Sequence, residues 1–188
     1  MTTLALVRHG RTEWNALNRF QGQVDIPLDD EGRAQAARTA EALASFPATR
    51  LVASPLGRAQ ETARIIGARL ELPEPEIVPE VIERGYGPFE GASVFETLAT
   101  HPDHYYPGAE PEEAVAERGA KALRTLLADE RDAVVVTHGT LLRLALGTLT
   151  DNPHFHRFGN ADVVLLSDDH DGSPLRAEWI VGPTSIDA

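Results

Sequence analysis

The sequence predicts an α/β fold: a three-layer α/β/α sandwich with a mainly parallel sheet. Short apolar runs alternate with longer helical segments along the chain, which is the pattern of successive β-α-β units. The run at 133–137 is the clearest of these and has the composition of a strand covered on both faces. A length of 188 residues suits one domain with its own core. We therefore expect a single domain over residues 1–188.

Five runs have the composition of strands and four segments have that of helices. The predicted strands are residues 4–7, 50–54, 133–137, 163–166 and 177–181. The predicted helices are residues 34–44, about 57–70, 111–127 and about 141–149. Asp29 is expected to cap the first helix, and Pro111 to take the first position of the third, ahead of Glu112 and Glu113.

Two parts of the chain are less regular. Residues 77–78 and 81–82 lie on either side of Pro79, and proline is tolerated mainly in edge strands, so we expect a short or edge strand there. Residues 91–108 show no clear periodicity. We interpret this segment as a short, lid-like insertion near the edge of the sheet.

The composition argues against several classes of function. A formal net charge of -12 disfavours nucleic acid or an anionic membrane as the main partner. The lack of cysteine excludes disulfides, thiolate metal sites and cysteine nucleophiles. No apolar run approaches the roughly 20 residues of a membrane span, and no basic region precedes an apolar stretch at the N-terminus. We therefore expect no membrane contact, no signal peptide and a cytoplasmic location.

Chemically active side chains follow several of the predicted strands. Arg8 and His9 end the first strand, Arg58 comes shortly after the second, and Glu83 and His138 follow the Pro79 region and the buried strand. Because the carboxyl ends of parallel strands meet at one edge of a sheet, ligands bind there. The sequence therefore predicts one site that contains all five side chains.

This combination of side chains suits phosphoryl transfer. The planar guanidinium of arginine binds phosphate oxygens in a bidentate manner and neutralises their charge. A neutral imidazole is a nucleophile near pH 7, and a carboxylic acid can protonate the leaving alcohol and then activate water. A small anionic substrate is compatible with an acidic chain because a few arginines in one cleft can dominate the local field.

The motifs resemble those of the histidine phosphatase superfamily, the phosphoglycerate mutase-like fold. They match in the family's order and over nearly the whole chain. The matching segments are Leu6-Val7-Arg8-His9-Gly10, Thr12-Glu13-Trp14-Asn15, Arg19-Phe20-Gln21-Gly22, Asp25-Ile26-Pro27-Leu28, the run from Ser54 to Ala63, the run from Glu83 to Gly91, Val136-Thr137-His138-Gly139 and, more weakly, Gly159-Asn160.

The resemblance implies a role for each catalytic candidate. His9 would attack phosphorus and become phosphohistidine, Glu83 would be the proton donor and later the base, and His138 would stabilise the transition state. In the family, the other ring nitrogen of the nucleophile donates to a backbone carbonyl, a bond that no sequence feature reveals. The phosphate-binding residues implied are Arg8, Asn15, Arg58, Thr12, Gln21 and Gly22. We expect no metal and no other cofactor.

The resemblance favours the phosphatase branch over the mutase branch. Mutases carry a Gly-Trp pair where this chain has Gln21-Gly22. The lid segment and the part of the chain after the last strand are short, which would admit water. We therefore expect a phosphomonoesterase that hydrolyses a small phosphorylated metabolite. A phosphoglycerate mutase and a non-catalytic module that binds phospho-ligands are the alternatives, and the oligomeric state is left open, a homodimer included.

Several residues have less specific interpretations. Glu80 and Glu90 are alternative carboxylates to Glu83, although the family's spacing selects Glu83. Tyr105 and Tyr106 either face the substrate or pack within the lid. Two histidine pairs, His101 with His104 and His154 with His156, lie in loops without the spacing or the carboxylates of a metal site.

Overall fold

The computed structural model describes residues 1–152 and 155–181. One mixed six-stranded sheet forms the centre of this fold. Its strands are β1 (Thr2–Arg8), β2 (Arg50–Ala53), β3 (Glu76–Ile77), β4 (Ala133–Thr137), β5 (Val163–Asp168) and β6 (Arg176–Val181). Their order across the sheet is β3-β2-β4-β1-β5-β6. The first four strands in this order are parallel, whereas β5 runs antiparallel to β1 and β6 antiparallel to β5. The predicted α/β class with a mainly parallel sheet is confirmed.

Helices cover both faces of this sheet. They are α1 (Glu13–Ala16), α2 (Asp30–Ala42), α3 (Gly57–Leu70), α4 (Val94–Thr100), α5 (Glu112–Leu127) and α6 (Gly139–Leu149). Alternate residues of β1 point to opposite faces: Leu4 and Leu6 pack with α5 and α6, and Ala5 and Val7 pack with α2 and α3. Among the described residues, no helix is both long and apolar enough to cross a membrane.

The helix starts differ slightly from the predicted ones. Asp29 caps α2 as expected, since its side chain accepts from Gly32 N over 2.7 Å, but the helix begins at Asp30 rather than at residue 34. Pro111 is the N-cap of α5 and not its first helical residue. Helix α6 begins directly after His138, two residues before its predicted start. This early start places backbone N–H groups of α6 beside the end of β4.

The prediction of a strand at residues 81–82 is wrong. Only Glu76–Ile77 pairs with β2, and a 3₁₀ helix occupies Pro79–Val81. Proline lacks an N–H group and fixes φ near -65°, so it ends the ladder and suits the first helical turn. The turn is fastened to β4, because Thr137 Oγ1 donates to Val81 O over 2.6 Å. This bond holds the residues before Glu83 at the end of β4, so Glu83 lies beside the start of α6.

The segment 91–108 packs against the loops that carry Phe20 and Tyr86. It contains α4, which Ser93 caps and which the sequence interpretation missed. Tyr106 is buried and packs against Phe20 and Tyr86, with ring centroids 5.2 and 6.0 Å away. Tyr105 is exposed. The aromatic contacts attach the segment to the loops around the strand ends.

Candidate active site

A cavity of about 740 Å³ opens at the carboxyl ends of β1 and β4. Its walls come from the loop after β1, the start of α3, the segment around Glu83, the segment 91–108, the start of α6 and the loop before β5. Seven of the nine candidate residues line it: Arg8, His9, Asn15, Gln21, Gly22, Arg58 and Glu83. Thr12 and His138 do not; both are fully buried behind this wall.

His9 is held as a neutral imidazole of defined tautomer. Its Nδ1 lies 2.7 Å from Gly10 O, which can only accept, so Nδ1 carries the hydrogen. Its Nε2 lies 3.2 Å from Arg58 Nε, which can only donate, so Nε2 carries the lone pair. Burial, and then the positive charges of Arg58 and Arg8, hold the pKa of His9 well below its usual value of 6.5. His9 Nε2 therefore stays unprotonated near pH 7 and accepts the hydrogen bond from Arg58.

Arg58 is a buried cation fixed by backbone oxygens. Its Nη2 donates to Gly22 O over 2.6 Å and its Nη1 to Val24 O over 2.9 Å. Burial lowers the pKa of Arg58 to about 10, against the opposing effect of carboxylates such as Glu83 and Asp25. The guanidinium therefore stays charged at neutral pH. The loop from Gly22 to Val24 sets its position and aims it at His9.

The loop that holds Arg58 depends on a glycine and a carboxylate. Gly22 has φ +55, in the left-handed region that favours glycine, and an added Cβ would lie 2.1 Å from Glu90 Oε1. Glu90 accepts from the amides of Gln23 and Val24 over 2.9 and 2.8 Å. Glu90 thus supports the wall of the cavity without lining it.

His138 contacts the site through Arg58 and is oriented from behind by Ser54. The ring centroids of His138 and His9 are 5.1 Å apart, and His138 Nδ1 lies 3.4 Å from Arg58 Nη2. Its Nε2 lies 2.7 Å from Ser54 Oγ, a hydroxyl that can either donate or accept. Burial, and then the charge of Arg58, hold the pKa of His138 well below 6.5. Ser54 lies in one of the matching motifs, and the sequence predicts no role for it; the structure shows this contact with His138.

Two buried donors at the cavity wall have no hydrogen-bond acceptor among the described residues: Arg8 Nε and Gln21 Nε2. The rest of the Arg8 guanidinium is anchored, since Nη1 donates to Phe158 O over 2.6 Å. Gln21 accepts from Thr12 Oγ1 over 2.8 Å. Because buried donors are normally satisfied, an anion that supplies acceptor oxygens matches this arrangement. Thr12 therefore contacts the site through Gln21 and Asn15 rather than from the cavity wall.

Glu83 is the carboxylate that lines the cavity among the three considered. Its Oε1 accepts from Arg84 N and Leu141 N over 2.8 and 3.0 Å, and its Oε2 accepts from Thr140 N over 3.1 Å. The carboxylate thus caps the N-terminus of α6 while facing the cavity. Glu80 is exposed, and neither Glu80 nor Glu90 lines the cavity.

The outer wall is aromatic and cationic. The guanidinium of Arg84 lies 5.2 Å from the ring centroids of both Tyr86 and Tyr106. Glu112 pairs with Arg84 at 2.9 Å and with Arg143 at 3.2 Å. One carboxylate between two arginines leaves this wall positive in a chain of net charge -12, which favours an anionic substrate.

Within the described residues, no group of three His, Asp, Glu or Cys side chains forms a metal-binding cluster. His101 and His104 pack against Tyr106, with ring centroids 6.0 and 6.4 Å away. His154 lies outside the described residues. His101 and His104 are thus engaged in aromatic contacts, whereas His156 is exposed.

Similarity to known proteins agrees with this geometry. Residues 4–178 match the model of the histidine phosphatase superfamily, branch 1. The Bacillus subtilis phosphatase PhoE is 38% identical over 78% of this chain and 76% of that protein. A 2,3-bisphosphoglycerate-dependent phosphoglycerate mutase of Gloeobacter violaceus is 31% identical over 78% of this chain and 74% of that protein.

A solved structure extends the likeness to three dimensions. The mycobacterial glucosyl-3-phosphoglycerate phosphatase in complex with VO3 superposes with a TM-score of 0.83 at 28% identity, covering 98% of this chain and 100% of that one. The family model and the phosphatases among these relatives identify the protein as a phosphoric monoester hydrolase. The chain belongs to branch 1 of the histidine phosphatase superfamily.

Proposed function

We propose that this protein is a metal-independent phosphomonoesterase that hydrolyses a small phosphorylated metabolite through a phosphohistidine on His9. One observation carries the proposal. His9 Nδ1 donates its hydrogen to Gly10 O, so Nε2 carries the lone pair and faces Arg58 in the cavity. A buried imidazole that is neutral, of fixed tautomer and adjacent to a cation meets the needs of a nucleophile that attacks a phosphoryl group.

The charge of the phosphoryl group would be neutralised by the protein's own donors. Arg8 Nε and Gln21 Nε2 have no acceptor among the described residues and would donate to phosphate oxygens. Arg58 would replace its hydrogen bond to His9 with hydrogen bonds to phosphate oxygens. Once Arg58 has shifted, His138 Nδ1 would donate to the same oxygens in the tautomer whose Nε2 accepts the hydroxyl hydrogen of Ser54. Pre-positioned donors of this kind stabilise the charge that develops in a transition state.

Proton transfer falls to Glu83. His9 Nε2 forms a bond to phosphorus while the bond from phosphorus to the leaving oxygen breaks, and Glu83 protonates that oxygen. Oε1 accepts two backbone hydrogen bonds and Oε2 only one, so Oε2 has room for the proton. Water then attacks phosphorus, Glu83 takes its proton, the phosphorus–nitrogen bond breaks and inorganic phosphate leaves. His9 returns to its neutral form.

The relatives support the class of ligand. Structures of the mycobacterial phosphatase have been solved with VO3 and with inorganic phosphate, both small oxyanions. The positive outer wall around Arg84 and Arg143 supports a small anionic ester over a neutral one. The cavity of about 740 Å³ has the volume of a small-molecule site.

Turnover of a panel of phosphorylated metabolites tests the proposal. We expect release of inorganic phosphate from at least one small ester, with no loss of rate in EDTA. Isomerisation of a phosphorylated hydroxy acid without net phosphate release would instead identify a mutase. Binding without turnover across the panel would identify a phospho-ligand binding module. Activity that EDTA abolishes and Mg²⁺ or Zn²⁺ restores would contradict the metal-independent mechanism.

A further inference from the structure

Asn160 connects the loop before β5 with the loop after β1 at the candidate site. It lies in the connection before β5, and its side chain lines the cavity. Its Nδ2 donates to His9 O over 3.2 Å and to Asn15 Oδ1 over 3.0 Å. One amide group therefore contacts both the backbone of the proposed nucleophile and a proposed phosphate-binding side chain.

The partners of the two amides fix their orientations. His9 O can only accept, so the nitrogen of Asn160 must face it. The backbone N–H of Thr12 can only donate, and it lies 3.2 Å from Asn15 Oδ1, so the oxygen of Asn15 must face Thr12. Thr12 Oγ1 lies 3.1 Å from the same oxygen, but its single hydrogen is shared with Gln21 Oε1 at 2.8 Å, so Thr12 N and Asn160 Nδ2 are the independent donors to Asn15 Oδ1. With donors gathered on its oxygen, Asn15 keeps its Nδ2 for the cavity that it lines.

The backbone around Asn160 is attached to β1 independently of its side chain. Ala161 N lies 3.1 Å from Arg8 O and 3.3 Å from His9 O, and Arg8 N donates to Asp162 O over 3.1 Å. Thr39 Oγ1 also donates to Ala161 O over 2.9 Å. Because these bonds do not involve the amide of Asn160, replacing that side chain should leave the loop in place.

We infer that Asn160 is a positioning residue: it holds Asn15 with Nδ2 directed at the phosphate site and acts through Asn15 rather than on the substrate. The inference rests on the proposed function, since it takes the cavity to bind a phosphoryl group and Asn15, which lines it, to be one of the phosphate-binding residues that the resemblance implies. A neutral hydrogen bond contributes modestly, so loss of the Asn160 contact should weaken phosphate binding by about threefold to tenfold.

A double-mutant cycle tests this role by measuring the Kd of inorganic phosphate and of vanadate by calorimetry. Asn160→Ala and Asn15→Ala are each expected to raise both Kd values. The double variant should bind as Asn15→Ala does, because Asn160 has nothing left to orient. Asn152→Ala, at a position in the same connection that does not line the cavity, is the control and should bind like the unmodified protein.

Two results would overturn the inference. If Asn160→Ala lowers affinity equally with and without Asn15, Asn160 contacts the anion directly. If Asn160→Ala leaves both Kd values unchanged, it has no role in the site. Thermal unfolding of each variant shows whether the fold is intact. The cycle measures binding and not turnover, so it can succeed even if no phosphohistidine forms, and the two proposals can fail separately.

Discussion

Arg58 Nε donates to His9 Nε2 over 3.2 Å, so the lone pair of the proposed nucleophile accepts a hydrogen bond from this cation. The same guanidinium reaches His138 Nδ1 at 3.4 Å. A phosphoryl group that enters the cavity offers Arg58 better acceptors than an imidazole, because its oxygens are charged. Binding of the substrate would therefore free His9 Nε2 for attack and leave His138 Nδ1 facing the phosphate instead of Arg58.

This dual role predicts that Arg58→Lys is not a conservative substitution. An ammonium cannot reach Gly22 O, Val24 O and both histidines at once, whereas the guanidinium does. We expect kcat/KM to fall by roughly 10²–10³-fold, the loss typical of one transition-state donor. Steady-state kinetics on an aryl phosphate measures it.

Arg64→Lys is the matched control, because Arg64 lies on the same helix with its side chain exposed. It should retain full activity. Equal kcat/KM values for Arg58→Lys and Arg64→Lys would contradict the role of the planar fork.

The buried histidines predict an unusual dependence on pH. Burial and the adjacent arginines lower the pKa of His9 and of His138. A histidine is neutral above its pKa, so both should stay neutral as the pH falls from 7 through about 6.5, where an ordinary histidine gains a proton. Nuclear magnetic resonance of isotope-labelled imidazoles in the protein without phosphate follows each ring. Titration of His9 with a midpoint near 6.5 would show that its environment differs from the one described.

The same shifts predict the dependence of stability on pH. The unfolded chain would bind protons on both histidines below about pH 6.5 while the folded protein does not, so the free energy of unfolding should decrease as the pH falls through this range. Urea unfolding at several pH values measures the slope. His138→Gln should show a smaller slope than the unmodified protein. An unchanged slope would mean that His138 is protonated in the folded protein.

Gly22→Ala should disturb the position of Arg58 by distorting the loop that holds it. The left-handed φ of Gly22 penalises any side chain by roughly 1–2 kcal/mol, and the new Cβ would in addition collide with the carboxylate of Glu90. Movement of Glu90 would release the loop that holds Arg58. We expect a lower free energy of unfolding and weaker phosphate binding, measured by urea unfolding and calorimetry.

Gly172→Ala provides the comparison, since Gly172 has φ +86 but no atom within 4 Å of an added Cβ. It should show only the backbone penalty and unchanged phosphate affinity. If the two variants lose the same stability and neither loses affinity, the contact between Gly22 and Glu90 does not position Arg58.

Replacement of Glu83 should affect esters according to their leaving groups. A general acid contributes roughly 10²–10⁴-fold when the leaving alkoxide is basic, and much less for an activated aryl phosphate. Glu83→Gln should therefore lose more activity on an alkyl phosphate than on an aryl phosphate. The same pair of substrates tested with Glu80→Gln serves as the control, because Glu80 is exposed and outside the cavity. Equal losses on both esters would show that Glu83 is not the acid.

The sequence predicted those parts of the fold where the spacing of hydrophobic residues agrees with residues that start or end a helix or strand. Asp29 before α2 and the run at Ala133–Thr137 are examples. Helix α4 was missed although Ser93 and Glu96 carry the Ser-x-x-Glu spacing of a helix start. The prediction of a strand at 81–82 failed because β-like composition was weighed above the absent N–H group of Pro79.

The candidate site shows what motifs leave out. Strand ends indicate which residues converge, but not how deeply each one lies. Thr12 and His138 are buried behind Asn15 and Arg58, a depth that only tertiary packing sets. Asn160 belongs to the weaker Gly159-Asn160 match, from which no role is predicted, because its contacts reach residues 145 and 151 positions away. Sequence pattern carries no signal for such a distance.

Covalent labelling tests the role of His9 most directly. Phosphate from a radiolabelled substrate should become attached to the protein, survive alkali and be lost in mild acid, as phosphorus bound to nitrogen does. His9→Ala should abolish labelling and turnover while circular dichroism shows an intact fold. His138→Ala should slow turnover but still allow labelling, because His138 stabilises charge and forms no bond to phosphorus. Full activity with no trappable phosphohistidine, and inversion at a chiral phosphorus, would instead mean that water attacks the ester directly.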